Sequence, residues 1–138
     1  SITATAAARV RADGTRVFAG EDISVPLSRV ADTLRAIRAL GAKYDIKVVN
    51  YGHIGDGNVH TAPVINPEIP EEVERVKKLV HEIHLLAIEM GGSTTGEHGV
   101  GIVRRQYAGL EHGNAVDYMR KIKMAFDPEG IMNPGKLF

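Results

Sequence analysis

The segment that most restricts the fold of this chain is residues 51–60, Tyr-Gly-His-Ile-Gly-Asp-Gly-Asn-Val-His. Its central Gly-Asp-Gly lies between two short runs rich in β-branched residues, a pattern typical of a β-hairpin. With Asp56 and Gly57 as the central residues of a type I′ turn, His53 pairs directly with His60. Cross-strand partners have Cβ atoms roughly 4.5–5.5 Å apart. The hairpin therefore predicts two imidazoles on one face, close enough to bind one divalent ion.

Two interpretations of these histidines remain open on the hairpin alone. A histidine on a strand is usually a half-buried polar side chain or a surface residue without a ligand. A metal site becomes the better interpretation when a third ligand is supplied from elsewhere in the chain.

A second cluster, residues 91–101, has five glycines in eleven residues, too many for a stable helix or strand interior. A flexible linker would explain the glycines but not the adjacent pair Glu97-His98. A phosphate-binding loop is rejected, because the chain lacks both the P-loop Lys-Ser/Thr and a strand followed by Gly-x-Gly-x-x-Gly at a helix start. The segment is instead interpreted as a loop whose backbone approaches a ligand and which supplies a carboxylate and an imidazole.

The two clusters together suggest one site. His53, His60 and Glu97 form a His₂Glu set, which leaves a position open for water or substrate on Zn²⁺ or a similar ion. His98 is then left as a general base, a role that suits an imidazole with an unperturbed pKa of about 6.5.

Composition excludes several classes of protein. The 138 residues predict a single domain, and a hydrophobic fraction of 43% with no Trp predicts an aliphatic core. Basic and acidic residues balance at 17 each, so nothing favours binding to nucleic acid or to an anionic membrane surface. No apolar run is long enough for a transmembrane segment, and no signal peptide is visible. With no cysteine there is no disulfide or thiolate ligand, which is compatible with the cytoplasm.

Periodicity and turn residues predict an α+β fold. The predicted elements are a helix over residues 4–12, a strand Arg16 to Pro26, a helix Ser28 to Leu40 ended by Gly41, strands Ile46 to Ile54 and Asn58 to Ile65, a helix Pro70 to Met90, and an extended segment from about Gly92. This order matches a ferredoxin-like antiparallel sheet with two helices packed on one face. His81 and His84 lie off the apolar stripe of the long helix and are interpreted as solvated.

Three strings in the chain resemble a known family. They are His-Ile-Gly-Asp-Gly-Asn-Val-His (53–60), Gly-Gly-Ser-Thr-Thr-Gly-Glu-His-Gly-Val-Gly (91–101) and Phe-Asp-Pro-Glu-Gly-Ile-Met-Asn-Pro-Gly-Lys (126–136). They resemble the C-terminal domain of FAD-linked oxidases, a group that includes the glycolate oxidase D subunit, FAD-dependent D-lactate dehydrogenases and D-2-hydroxyglutarate dehydrogenase. The segment 21–26 also resembles a strand-ending segment of that family.

The resemblance implies roles for individual residues. The metal-dependent members use two hairpin histidines and a loop glutamate as ligands and the next histidine as base, which carries over to the four residues above, with Zn or Mn as the ion. Arg104 stands where relatives commonly have a lysine and is expected to meet a substrate carboxylate. Asn133 and Lys136 belong to the segment that returns toward the flavin. Two departures are a glycine, Gly20, at a substrate-binding lysine position and the lack of a secure counterpart for a substrate-binding arginine.

The resemblance also implies a function. Residues 1–138 would be the C-terminal cap and substrate domain of a flavoprotein that oxidises a D-2-hydroxy acid, of D-lactate or glycolate type, to a 2-oxo acid by hydride transfer to FAD. FAD would be bound mainly by an N-terminal domain absent from this chain, so that domain or subunit is an expected partner. A cytoplasmic location, either free or peripheral to a membrane, is expected.

The sequence is also compatible with other interpretations. The chain could be a non-catalytic ferredoxin-like module that binds a metal or ligand, or a subunit whose partner carries the flavin. A purely structural interaction domain explains neither Glu97-His98 nor the hairpin histidines.

Overall fold

The computed structural model describes residues 13–16 and 22–138. The helix predicted over residues 4–12 and the departure at Gly20 lie outside these ranges. The elements are β1 Thr15–Arg16, β2 Ile23–Ser24, α1 Val30–Lys43, β3 Lys47–Tyr51, β4 Asn58–Ile65, α2 Pro70–Glu89, α3 Ala108–His112 and α4 Ala115–Phe126, with 3₁₀ turns at Leu27–Arg29, Ile54–Asp56 and Arg105–Tyr107. Within the described part of the chain, no helix combines the length and apolar character needed to cross a membrane.

Strand β4 is the centre of the antiparallel sheet. It pairs with β3 along one edge, and with β1 and β2 at its two ends along the other. Ser24 of β2 pairs with Asn58 of β4 and also forms an isolated antiparallel bridge to Ser93. The order Ser93, β2, β4, β3 is that of a ferredoxin-like sheet whose last strand is reduced to one bridge. The predicted α+β class is confirmed.

Helices α1 and α2 pack on each other and contribute to one apolar core with the sheet. Ile37 of α1 and Leu79 and Ile83 of α2 are fully buried, as are Ile23 and Val59 of the sheet. Burying one such side chain contributes about 1.5–3 kcal/mol. Helix α2 begins at Pro70 as predicted, because proline has no N–H to lose in the first turn and its fixed φ suits that position.

The hairpin is present, but its predicted two-residue turn is wrong. Tyr51, not His53, pairs with His60, and residues 52–57 connect the two strands. Hydrogen bonds from the amide of Asp56 to the carbonyl of His53 (2.9 Å) and from Gly57 to Ile54 (3.1 Å) close a 3₁₀ turn in this connection. His53 therefore lies in a loop, and a local pattern of turn residues could not distinguish the two registers.

Gly41 was predicted to end the helix that starts at Ser28, and this is wrong because α1 continues to Lys43. A Cβ atom at Gly41 would lie 2.8 Å from the carbonyl oxygen of Ile46, where the chain turns into β3. The amide of Ile46 also donates to the carbonyl of Gly41 (2.8 Å). The glycine thus allows close approach of helix and strand. The turn itself occurs at Asp45, which has a φ of 52°.

Helix α4 was not predicted, and only Val116 among its residues is buried. Its apolar side chains at Tyr118, Ile122 and Phe126 follow each other at intervals of four and are 66%, 61% and 80% exposed. They form an apolar row along one side of the helix.

His84 was interpreted as solvated, and this is wrong. Its side chain is fully buried and stacks on Tyr107 with ring centroids 4.6 Å apart and planes at 9°. Its Nδ1 atom donates to the carbonyl of Val80 (2.8 Å). Burial lowers the pKa of His84, because the charged imidazolium would lose its hydration. His81, by contrast, is exposed on the same helix.

We predict that His84 destabilises the fold in mild acid. Because the pKa of His84 is lower in the folded chain than in the unfolded one, the unfolded chain binds more protons below about pH 6.5. This one group should lower the free energy of unfolding by up to about 1.4 kcal/mol per pH unit until its folded-state pKa is reached. The free energy of unfolding, measured by urea unfolding at several pH values, should decrease less steeply toward acid in the His84→Leu variant. His81→Leu, the control, should retain it, and an unchanged slope in His84→Leu would contradict the prediction.

Candidate active site

The site forms where the hairpin connection meets the glycine-rich loop. The loop leaves α2 and is joined to β2 by paired hydrogen bonds, from the amide of Ser24 to the carbonyl of Ser93 (3.0 Å) and back (2.8 Å). A Cβ atom at Gly92 would lie 2.0 Å from the carbonyl oxygen of Ser24, so only glycine permits this approach. On the other side of β2, the amide of Val25 donates to the carbonyl of Gly57 (2.9 Å). Strand β2 thus holds both loops side by side.

One carboxylate oxygen of Glu97 faces three imidazoles. It lies 3.0 Å from Nε2 of His60 and 3.8 Å from Nε2 of both His53 and His98. The structure therefore brings together the four residues that the sequence predicted as a site. His60 comes from β4, His53 from the connection, and Glu97 and His98 from the glycine-rich loop.

The donor set of His53, His60 and Glu97 fits a divalent ion. Their ligand atoms all lie within 4.8 Å of one another. Two ligands at about 2.1 Å from a tetrahedral zinc ion would be about 3.4 Å apart, and the distances from Glu97 to the two imidazoles, 3.0 and 3.8 Å, bracket this value. The side chain of His60 is 9% exposed, whereas those of His53 and Glu97 are 66% and 46% exposed. One side of the set is thus open to solvent.

Asp22 anchors the loop and was missed as a site residue. Its carboxylate is fully buried and accepts hydrogen bonds from the amides of His98 (2.7 Å) and Glu97 (2.9 Å) and from the hydroxyl of Thr95 (3.0 Å). Burial alone would raise the pKa of Asp22, but these hydrogen bonds outweigh it and lower the pKa. The sequence signals at Asp22 were an acid before a short apolar strand and the resemblance of segment 21–26 to the family. Neither signal pointed to the partners, which lie more than 70 residues further along the chain.

Glu111 is a second anchor that sequence reasoning missed. Its Oε2 atom accepts hydrogen bonds from the amide (2.9 Å) and the hydroxyl (2.7 Å) of Thr94. Thr94 is itself buried, so α3 holds the start of the loop as Asp22 holds its centre. Burial tends to raise the pKa of Glu111, but hydrogen bonds from Ser93 and Thr94 lower it overall.

Arg104, the predicted substrate ligand, is buried behind the loop. One of its guanidinium nitrogens donates to the carbonyl of Gly99 (3.1 Å). Its Nε atom is buried without a hydrogen-bond partner. In this arrangement the guanidinium supports the loop backbone, and its contact with a substrate stays a prediction.

Asn133 and Lys136 lie in the exposed C-terminal segment, which returns to the glycine-rich loop. The amide of Leu137 donates to the carbonyl of Gly101 (3.0 Å), and Arg105 donates to the carbonyl of Gly135 (3.2 Å). The segment predicted to approach a flavin thus runs beside the end of the loop that carries the candidate ligands. Contact of these two residues with FAD stays a prediction.

We predict that Gly96→Ala disrupts the site. A Cβ atom there would lie 2.6 Å from Oδ1 of Asp22 and 2.8 Å from Nδ2 of Asn58. Overpacking of this kind costs typically about 1–3 kcal/mol, and thermal and urea unfolding should show a loss in this range. Gly55→Ala is the matched control, because no atom lies within 4 Å of its added Cβ. Equal stability of the two variants would contradict the packing described here.

Comparisons with known proteins show which proteins this chain is similar to. The chain is 44% identical over 119 residues to the glycolate oxidase subunit GlcD of Bacillus subtilis, covering 86% of this chain and 25% of that protein. It is 35% identical over 116 residues to a D-lactate dehydrogenase of Archaeoglobus fulgidus, covering 84% and 26%. It is 43% identical over 124 residues to the mitochondrial D-lactate dehydrogenase [cytochrome] 1 of Saccharomyces cerevisiae, covering 85% and 20%. The chain thus spans about a quarter of the length of these relatives or less.

A solved structure shares the fold. The 4-ethylphenol oxidase from Gulosibacter chungangensis, in complex with isoeugenol, superposes with a TM-score of 0.64 at 17% identity, covering 94% of this chain and 25% of that one. The family described as FAD linked oxidases, C-terminal domain, matches residues 3–137. The chain therefore belongs to the family of FAD-linked oxidases, of which it forms the C-terminal domain.

Proposed function

We propose that this chain is the substrate- and metal-binding part of a flavin-dependent D-2-hydroxy acid dehydrogenase or oxidase of D-lactate or glycolate type. The observation that carries the proposal is the convergence of three imidazoles on one oxygen of Glu97 at a site open to solvent on one side. The names of the relatives, a glycolate oxidase subunit and D-lactate dehydrogenases, support the substrate class.

His53, His60 and Glu97 would hold the ion. A Zn²⁺ or Mn²⁺ ion held there supplies a Lewis acid that lowers the pKa of the substrate hydroxyl. The exposure of His53 and Glu97 leaves room for the hydroxyl and one carboxylate oxygen of a 2-hydroxy acid. Arg104 is proposed as the residue that meets the other carboxylate oxygen, once the loop around Gly99 adjusts to the substrate.

His98 would act as the general base. Its side chain is 49% exposed, and its backbone amide is held by Asp22 (2.7 Å). Its Nε2 atom faces the same side of the site as the candidate ligands, 3.8 Å from Glu97. From this position the imidazole accepts the proton of the substrate hydroxyl while the hydrogen on C2 leaves as a hydride, so that the product is a 2-oxo acid.

FAD, bound mainly by a domain outside this chain, supplies the hydride acceptor. Two features of the chain support such a partner. The apolar row of Tyr118, Ile122 and Phe126 on α4 is exposed, as are Ile131 (74%) and Met132 (58%) in the segment that follows. Exposed apolar surface of this kind marks an interaction site. Asn133 and Lys136 continue that segment and are proposed to contact the flavin.

We predict that the chain binds one zinc or manganese ion and that the double variant His53→Ala/His60→Ala does not. Removing two of three ligands leaves only Glu97, which is too few for a stable site. Isothermal titration calorimetry and metal analysis of the chain and of the double variant measure the number of bound ions and their affinity. His81→Ala, a change at an exposed residue of α2 outside the site, should bind as the unmodified chain does. Equal binding by the double variant would show that the ion is held elsewhere.

We further predict that His98→Ala in the complete flavoprotein slows flavin reduction by about 10²–10⁴, the usual contribution of a general base. Stopped-flow experiments with D-lactate, glycolate and D-2-hydroxyglutarate measure the rate of flavin reduction and show which of the three reduces the flavin fastest. FAD content and metal content should be unchanged, because His98 is not among the proposed ligands. Near-normal reduction by the variant would assign the base to another group.

A further inference from the structure

We infer that Tyr51 is a positioning residue whose aromatic ring holds the imidazole of His60 in the orientation that directs Nε2 into the candidate metal site. This inference rests on the proposed function for the meaning of that orientation. The orientation itself depends only on residues of this chain. The sequence pattern gave Tyr51 no role, because a two-residue turn would have paired His60 with His53 instead of Tyr51.

Tyr51 and His60 are direct partners in the ladder between β3 and β4. Residues directly opposite each other in an antiparallel pair project from the same face of the sheet. The two ring centroids are 5.1 Å apart with planes at 40°, within the range of aromatic contacts. Because both backbones belong to the sheet, the register fixes where each ring begins.

The chain that follows Tyr51 also lies close to His60. Gly52 has a φ of 143°, and a Cβ atom added there would lie 2.6 Å from the carbonyl oxygen of Asn58 and 3.1 Å from the amide nitrogen of His60. The ring of His53 then meets that of His60 edge-on, with centroids 6.2 Å apart and planes at 75°. Of these neighbours, Tyr51 is the one that combines a place in the ladder with a side chain against the imidazole.

The competing interpretation is that the glycine-rich loop orients His60. Oε1 of Glu97 lies 3.0 Å from its Nε2, and the ring of His98 stacks on it with centroids 5.3 Å apart. The side chains of Glu97 and His98 are 46% and 49% exposed, however, and contacts between exposed polar groups are weak. An ion held by His60 and Glu97 together would also replace the direct contact between them. The contact with Tyr51 depends on neither the loop nor the ion.

His60 is the natural fixed point of the proposed site. Its side chain is 9% exposed, against 66% for His53 and 46% for Glu97. A ligating imidazole has to direct one nitrogen at the ion, and rotation about its side-chain torsions moves that nitrogen away. A neighbour that restricts this rotation before the ion arrives orients the ligand and raises the affinity of the site. Tyr51 is placed to do this for His60.

The first test is an NMR measurement on the metal-free 138-residue chain. The Hα–Hβ couplings of His60 should show a single χ1 rotamer, and the ring protons of His60 and Tyr51 should show nuclear Overhauser effects to each other. His53, 66% exposed in the hairpin connection, should show averaged couplings and serves as an internal comparison. Averaged couplings at His60 in the unmodified chain overturn the inference, and this result needs no variant.

Two variants separate the ring from the hydroxyl of Tyr51. Tyr51→Leu removes the ring, so the couplings of His60 should become averaged. Zinc affinity, measured by isothermal titration calorimetry, should fall by about 10-fold, the lower end of the usual range for outer partners of a ligating histidine, because the contact is packing rather than a hydrogen bond. Tyr51→Phe keeps the ring and should retain both properties. Tyr44→Leu is the matched control at another half-buried tyrosine, which packs against the apolar core, and should alter neither property.

Two results with these variants contradict the inference. One is a folded Tyr51→Leu chain whose His60 couplings still show a single rotamer. The other is a loss of zinc affinity in Tyr51→Phe as large as that in Tyr51→Leu, because the hydroxyl would then be the determinant. Should Tyr51→Leu fail to fold, Tyr51→Val takes its place with the same expected results, since a β-branched side chain suits a strand.

The two proposals fail in different ways. If Tyr51→Leu releases the ring of His60 but the chain binds zinc equally well without His53 and His60, the proposed metal site is wrong and the positioning role of Tyr51 stands. If zinc binding depends on His53 and His60 but Tyr51→Leu binds zinc as the unmodified chain does, the metal site stands and Tyr51 only packs against it.

Discussion

The buried carboxylate of Asp22 is the interaction on which the rest of the site depends. A glycine-rich loop has little preference for one backbone conformation, because glycine restricts φ and ψ so weakly. Here the loop is held by hydrogen bonds from two successive amides and one hydroxyl to a single charge. Such bonds to a charged group contribute about 1.5–3 kcal/mol each in typical cases. They place Glu97 and His98 without using the side chains of either residue.

Close approach of three backbone segments makes this arrangement sterically feasible. A Cβ atom added at Gly92 would lie 2.0 Å from the carbonyl oxygen of Ser24. One added at Gly57 would lie 2.1 Å from the carbonyl oxygen of Val25, and one added at Gly96 would lie 2.6 Å from the carboxylate of Asp22. The glycines are therefore required where strand β2 contacts the loop on one side and the hairpin connection on the other. The same contacts bring His53, His60 and Glu97 within ligand distance of one another.

The structure separates a buried aliphatic core from an exposed apolar surface. The aliphatic core lies between α1, α2 and the sheet, whereas α4 and the C-terminal segment expose much of their apolar surface. That division fits a domain which makes up about a quarter of its relatives. Two of the candidate ligands, His53 and Glu97, lie on loops, whereas His60 lies on β4. The scaffold beneath the loops supplies the rigidity, as is usual for functional sites.

Sequence alone determined the features whose physical basis is local. Residue pattern and turn chemistry predicted the start of α2 at Pro70 and the strand Asn58–Ile65. Residue pattern and resemblance to a family predicted the grouping of His53, His60, Glu97 and His98. Tertiary structure decided the rest: the hairpin register, the packing role of Gly41, the burial of His84, and the anchoring by Asp22 and Glu111. For Asp22 the reason is distance along the chain, because its partners lie 73 to 76 residues away. Periodicity over a few turns or strands carries no information about a contact of that kind.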